Sequence, residues 1–289
     1  MMLNSLGVKW AAYTISRAVM LKIIPIHAFS DNYIWMLQRD DHPQVVLVDP
    51  GQTEPVIKAL EADNLQLVAI LITHQHYDHT GAVVALREKY PDISIIGPNI
   101  LPSKKKLSID LPMQDVMTQK VIEGDVLTIP ELSVRFDVIA TPGHTLDHIA
   151  FVGEGVVFCG DTLFAAGCGR IFSGTPQLFA ASLAKLMALP EDTEMYCAHE
   201  YTVANLGFAK WVEPESIDVM KRDQVEVAKQ KKGLATVPTC VGLELKTNPF
   251  VRLQQPQVKL AAEKFAQSAL HENWQVFAAL RTWKDTKYD

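Results

Sequence analysis

The sequence predicts an α/β chain with a helical C-terminal part, and three observations carry that prediction. The run LVAILI at 67–72 is apolar without interruption, which marks a strand buried on both faces. Around it, short β-branched and apolar runs alternate with turn-formers and helical spacings up to about residue 200. Beyond residue 200 the pattern changes to helices separated by Pro and Gly breaks.

The elements follow in chain order. Segments 23–27, 33–37 and 45–48 read as consecutive strands, split by Ser30-Asp31-Asn32 and by Asp40-Asp41-His42-Pro43. Residues 54–63 have helical spacing, with Val56 and Leu60 on one face. After the strand at 67–72 come a helix at 80–90 and a strand at 93–96. Segment 103–117 is weakly patterned and reads as a loop with a short helix. Strands are expected at 126–129, 132–140, 148–152 and 156–159, then a helix at 176–187 ended by Pro190, then a strand at 195–198. Helices are expected at 202–211, 215–230, 256–268 and 272–283. The division is therefore an extension at 1–20, a strand-rich domain at 21–200 and a helical domain at 201–289.

Residues 1–20 contain Lys9 and Arg17 and no acid. They read as an organelle transit peptide, or as an upstream extension ahead of a natural start at Met20. The second reading is preferred, because the recognisable pattern begins at about Leu21.

Composition excludes several classes. The 27 basic residues stand against 33 acidic ones, a net charge of −6, which argues against a general nucleic-acid binder. No apolar run approaches ~18 residues, so no membrane partner is expected. Cys159, Cys168, Cys197 and Cys240 form no Cys-x-x-Cys pair and read as free thiols in a reducing cytoplasm.

The chemistry is announced directly after the buried strand, in Thr73-His74-Gln75-His76-Tyr77-Asp78-His79. Three of the nine histidines and one Asp fall within six residues. Alternate residues of an extended segment point the same way, so His74 and His76 can converge on one point. A turn toward the following helix can swing Asp78 and His79 to a second, adjacent point. Imidazole and carboxylate suit zinc, iron(II) or manganese(II). Four donors do not complete two sites. Three further candidates stand at the ends of expected strands: His144 in Thr141-Pro142-Gly143-His144, Asp161 in Gly160-Asp161-Thr162, and His199 in Ala198-His199-Glu200.

These residues resemble the metallo-β-lactamase fold superfamily, and within it glyoxalase II, the hydroxyacylglutathione hydrolases. Asp31-Asn32-Tyr33-Ile34-Trp35, Gly167-Cys168-Gly169-Arg170, Ala198-His199-Glu200-Tyr201-Thr202, Asn248-Pro249-Phe250 and Leu280-Arg281-Thr282-Trp283-Lys284 extend the resemblance over about 21–289. It implies an αββα sandwich whose helical C-terminal domain covers one side of a metal cleft. It also implies two divalent ions, zinc first, with iron or manganese as alternatives. One would be held by His74, His76 and His144, the other by Asp78, His79 and His199, with Asp161 between them. Asp49 would orient an imidazole, or serve only as a turn residue.

The implied activity is hydrolysis of S-D-lactoylglutathione, a small-molecule thioester, by water activated between the two ions, with Asp161 and Asp78 as catalytic residues. Asp78 would take the proton of the attacking water. Arg170, Arg281 and Lys284 would meet the glutathione carboxylates, with Tyr201 as a hydroxyl donor. A monomer is expected. The alternatives are a mononuclear-iron persulfide dioxygenase and another hydrolase of the same fold. Having His76 where flavo-diiron relatives carry Glu favours a hydrolase. Phe172 stands where some relatives have Tyr, and Asp147 where Gly is common. His148 reads as structural, His27, His42 and His271 as surface residues, and Cys168 as a tight-turn residue rather than a nucleophile.

Overall fold

The computed structural model describes residues 21–39, 42–99 and 113–288. The 1–20 extension, and most of the weakly patterned 103–117 stretch, lie outside the described residues.

Two six-stranded sheets stack face to face. The first has the order β1 (Leu21–Ala28), β2 (Asn32–Arg39), β3 (Gln44–Val48), β4 (Gln66–Leu71), β5 (Ser94–Pro98), β6 (Gln119–Val121). β1 to β3 form an antiparallel meander, and β3 to β6 run parallel. Helices α1 (Thr53–Ala62), α2 (Tyr77–Thr80), α3 (Val83–Lys89) and α4 (Met113–Val116) belong to the crossovers of this half.

The second sheet is built from β7 (Val126–Ile129), β8 (Val134–Ala140), β9 (Ile149–Gly153), β10 (Val156–Gly160), β13 (Glu194–Cys197) and β14 (Thr239–Cys240). β10 and β13 pair in parallel and the rest antiparallel. A small hairpin, β11 (Leu163–Phe164) with β12 (Gly167–Cys168), follows β10. Helix α5 (Pro176–Met187) precedes β13, and α6 (Thr202–Val212), α7 (Ile217–Gln230), α8 (Val241–Thr247), α9 (Pro256–Ala266) and α10 (Asn273–Trp283) complete the chain.

Strand alternation assigns the layers. On β2, Tyr33, Trp35 and Leu37 face the second sheet, while Ile34 and Met36 pack with the helices. On β3, Val46 and Val48 face inward, and Val45 and Leu47 meet Val56 and Leu60 of α1 and Leu86 of α3. β4 repeats the pattern, with Ala69 and Leu71 against Ile70. Both faces are covered, which is why these strands read as unbroken apolar runs. A small cluster of Leu206, Ala209 and Val219 with Ala166 stands apart, but most of the helical tail shares the main core. Phe208, Phe250, Phe277 and Leu280 join the same cluster as Phe136, Phe151 and Phe158. The architecture is the αββα sandwich with helical tail that the sequence implied.

Most expected strands and helices are present with small shifts at their ends. The helix expected at 80–90 is two pieces, because the chain bends at Gly81-Ala82. A side chain at Gly81 would collide with the Gly51 carbonyl oxygen. β6, β11, β12, β14 and α8 were not anticipated.

Phe158 is fully buried and meets Phe136 edge to face at 5.9 Å. Phe158→Ala is expected to cost about 3–5 kcal/mol in urea unfolding, from lost transfer energy plus a cavity.

Candidate metal centre

The loops at the C-terminal ends of five strands converge at one rim of the sandwich. β3 delivers Asp49, β4 delivers His74 and His76, and α2 carries Asp78 and His79. From the second sheet, β8 delivers His144, β10 delivers Asp161 and β13 delivers His199. The sheets are tied together at this rim. Tyr33 N–H donates to Ala198 O at 2.7 Å, Trp35 Nε1–H to Cys197 O at 3.0 Å, and Ile149 N–H to Thr73 O at 2.9 Å.

Donor atoms of His74, His76, His144 and Asp161 lie within 4.8 Å of one another, and so do those of Asp78, His79 and His199. The two sets touch through Asp161. Its Oδ2 is 3.4 Å from His144 Nε2, and its Oδ1 is 3.3 Å from His79 Nε2 and 3.4 Å from His199 Nε2. In the first set, His76 Nδ1 lies 3.0 Å from His74 Nε2 and 2.9 Å from His144 Nε2.

Partners on the far side of each ring decide the tautomers. His144 Nδ1 faces the Arg170 carbonyl oxygen at 2.8 Å, an acceptor only, so Nδ1 carries the proton and Nε2 is open. His79 Nδ1 donates to Asp49 Oδ2 at 2.9 Å, and His199 Nδ1 to Asp31 Oδ1 at 2.8 Å. Thr73 Oγ1 donates to Asp49 Oδ2 at 2.7 Å, so it accepts from His74 Nδ1 at 3.1 Å. Thus four imidazoles turn Nε2 into the site, in the manner of metal-binding histidines braced by outer partners. Asp49 is more than a turn residue, since it serves Thr73 and His79 together. His148 accepts the Asp161 N–H on Nε2 at 3.1 Å and stacks on His74 at 4.6 Å, which makes it a structural neighbour of the site. Asp31 is a partner that sequence reasoning did not assign.

The electrostatics fit a cation. His79 Nε2 and Asp161 Oδ1 are buried without a hydrogen-bond partner. Burial opposes charge on His79, but Asp161 and Asp49 outweigh it and hold the imidazole well above its usual range. Burial likewise opposes charge on His199, yet Asp161 and Asp78 raise it to about 10. Burial raises the Asp161 carboxyl, but His79 and His199 outweigh it and leave it well below the carboxylate range. Asp78 follows the same pattern: burial is outweighed by His199, His79 and Asn32. The carboxylates thus draw a positive charge into the second set. In the first set burial dominates and keeps His74, His76 and His144 neutral, with His144 lowered to about 4. Neutral imidazole is the form that ligates a metal.

A cavity of about 570 Å³ opens over the cluster. His76, Asp78, His144, Asp161 and His199 line its floor, and Arg170, Tyr201, Arg281 and Lys284 its walls. All four expected substrate contacts therefore face the same space. Arg281 is nearly buried, with Nη1 donating to Cys168 O at 3.1 Å and Nη2 to Asp285 Oδ1 at 2.8 Å. Tyr201 stacks on the His199 ring at 4.8 Å, and burial together with Asp31 pushes its phenol up, so it stays a donor. Burial raises the Cys168 thiol to about 11 against the pull of Arg281, which disfavours a nucleophilic role. Phe172 is 65% exposed and meets His76 and His144 edge to face at 5.1 Å. His27, His42 and His271 are exposed and away from the cluster. Gly51 and Gly169 are required by close approach: a side chain would strike the Asp78 backbone at one and the Asp161 carbonyl at the other.

The metallo-β-lactamase superfamily model matches residues 30–199, and the model of the hydroxyacylglutathione hydrolase C-terminus matches 200–287. Proteins named hydroxyacylglutathione hydrolase from Alkalilimnicola ehrlichii and Nitrosomonas eutropha are 46% and 41% identical, each match spanning 92% of this chain and 99% of the relative. The chain belongs to the hydroxyacylglutathione hydrolase family of the metallo-β-lactamase superfamily. Its fold also matches that of ETHE1 from Myxococcus xanthus, with a TM-score of 0.59 at 25% identity, covering 90% of this chain and 96% of the other. The BLEG-1 B3 metallo-beta-lactamase matches with a TM-score of 0.57 at 26% identity, covering 80% and 99%. As a member of this hydroxyacylglutathione hydrolase family the protein is a metal-dependent hydrolase that uses divalent metal.

Two of the shifted histidines, His144 and His199, give a pH signature for the metal-free protein. Both titrate ordinarily at 6.5. Folded His144 resists protonation down to about 4, so the unfolded chain binds more protons below 6.5 and stability falls as pH drops from 6.5 to 4. Folded His199 keeps its proton up to about 10, so its contribution is lost as pH rises from 6.5 to 10. Thermal melts of chelator-treated protein are expected to show a maximum near 6.5. Metal loading should flatten the alkaline arm, because a cation replaces the proton on His199.

Proposed function

We propose that the protein hydrolyses S-D-lactoylglutathione, or a close 2-hydroxyacyl-glutathione thioester, to glutathione and the hydroxy acid. The observation that carries this reading is one cavity with a cation-seeking floor and a basic wall. The names of the curated relatives, and the match of the C-terminal family model, favour it over a mononuclear-iron persulfide dioxygenase or another hydrolase of the fold.

His74, His76 and His144 would hold one ion and Asp78, His79 and His199 the other, with Asp161 serving both. Zinc is the first choice, and iron or manganese also suit this donor set. When bound, the ions supply Lewis acidity that lowers the pKa of water and polarises a thioester carbonyl.

The chain's own groups do the rest. Asp161 is held at its backbone N–H by His148, which fixes where that residue stands at the end of β10. Asn32 Nδ2 donates to Asp78 Oδ2 at 3.0 Å and steadies that carboxylate on the cavity floor. Asp78 stays ionised and receives the proton shed by water. Its neighbours hold its basicity down, so it passes the proton on to the departing thiolate. Arg170 and Lys284 meet the glutathione carboxylates, Arg281 reinforces that wall from beneath, and Tyr201 donates its hydroxyl to the peptide part of the substrate. Residues 21–200 act as the catalytic domain and 201–289 as the substrate-binding domain. The protein works as a monomer in the cytoplasm. Four free cysteines support a reducing compartment, and a net charge of −6 supports a small-molecule partner rather than nucleic acid. No described helix is long and apolar enough to cross a membrane.

Purified, metal-loaded protein is expected to cleave S-D-lactoylglutathione, read by loss of thioester absorbance. Turnover no greater than that of His79→Ala would contradict the reading. Lys284→Ala is expected to raise KM about tenfold or more with little change in kcat, the loss of one charge-assisted contact made equally in ground and transition states. Arg281→Ala is expected to raise KM and also lower the melting temperature, because Arg281 braces Cys168 and Asp285.

A further inference from the structure

Asp147 is a carboxylate for which the proposed reaction has no use, yet it sits against the metal centre. It belongs to the loop after β8, between His144 and His148. Its Oδ2 accepts the Gln75 N–H at 3.2 Å, and Gln75 stands between His74 and His76. Its Oδ1 is enclosed without a hydrogen-bond partner. A buried acceptor left unsatisfied is unfavourable, so the position is held by what the other oxygen does.

The three imidazoles of the first donor set come from two loops, 74–76 and 141–148, and meet across that junction through His144 Nε2 and His76 Nδ1. His74 is braced by Thr73 and by the stacked His148 ring, and His144 by the Arg170 carbonyl. The His76 carbonyl is held from the α2 side, by Thr80 Oγ1 at 2.9 Å. On the side toward the His144 loop, the backbone bond next to His76 is Gln75 N–H to Asp147. The second donor set takes nothing from the His144 loop: Asp78 and His79 lie on α2, and His199 follows β13.

We propose that Asp147 is a positioning residue that fastens the His74–His76 segment to the His144 loop, and so sets how tightly the first ion is held while leaving the second unaffected. This rests on the two-ion reading above. Loss of an outer partner of a metal site typically costs about 10–100-fold in affinity. Here that loss falls on one ion of the pair.

The test is zinc retention. Wild type, Asp147→Ala and Asp147→Asn are loaded with zinc and titrated with a chelator, and zinc per chain is counted after each step, with a thermal melt to check folding. The alanine variant is expected to release one of two ions at about 10–100-fold lower chelator activity, with release of the other unchanged. The asparagine variant keeps an acceptor oxygen and should behave as wild type. If wild type holds fewer than two ions, the two-ion reading fails. If wild type holds two and the alanine variant holds both equally tightly, or loses both together, the role of Asp147 is overturned. Release of the first ion by the asparagine variant as easily as by alanine also overturns it. If the alanine variant does not fold, Asp147→Ser, whose shorter side chain cannot reach Gln75, is judged by the same criteria.

Discussion

Negative charge buried at the rim of the sandwich is the constraint from which the rest of the site follows. Asp49 and Asp161 are buried and Asp78 is half-buried among five imidazoles. An unpaired buried carboxylate is costly, so the cluster must hold protons or cations. The tautomers turn the open nitrogens toward the site. Asp31, Asp49, Thr73 and the Arg170 carbonyl take the Nδ1 protons of four histidines and leave their Nε2 atoms facing one another. An arrangement with so many lone pairs turned inward is complete only with positive charge at its centre.

Holding those donors within a few ångströms requires the two sheets to keep a fixed relation. Asn32 bridges to His199, and Tyr33, Trp35 and Ile149 make the neighbouring cross-sheet bonds. The helical tail is fastened to the same rim. Glu200 Oε2 accepts from Tyr33 OH at 2.6 Å and from Thr236 N–H at 3.0 Å, which links β2 to the segment before β14. Glu244, buried and paired with Arg222, accepts the Ala166 N–H at 2.9 Å and so steadies the β11–β12 hairpin that carries Cys168 into the cavity wall. The basic wall of the cavity and its donor-rich floor are therefore parts of one packed unit.

Much of this was legible in the sequence, for physical reasons. The His74–His79 cluster is local, so its spacing could be read without a fold. His144, Asp161 and His199 were visible because each follows a strong strand signal. What stayed hidden depends on long-range contact. Asp31 lies 168 residues from His199, and nothing local marks their pairing. β11, β12 and β14 are two residues long, too short for any alternation to register. At the break between α2 and α3, Ala82 N–H donates to the distant Pro50 carbonyl at 3.0 Å, a tertiary event. Arg281 reads as a substrate contact in the sequence, but its burial against the Cys168 carbonyl, 113 residues away, has no local mark.

The central claim is that two cations share Asp161. Anomalous diffraction from crystals of the metal-loaded protein tests it most directly. The account predicts two peaks about 3.5–4 Å apart, one within reach of His74, His76 and His144 and the other within reach of Asp78, His79 and His199, with an Asp161 oxygen on each. A single peak, or two peaks with Asp161 turned away from both, would contradict it.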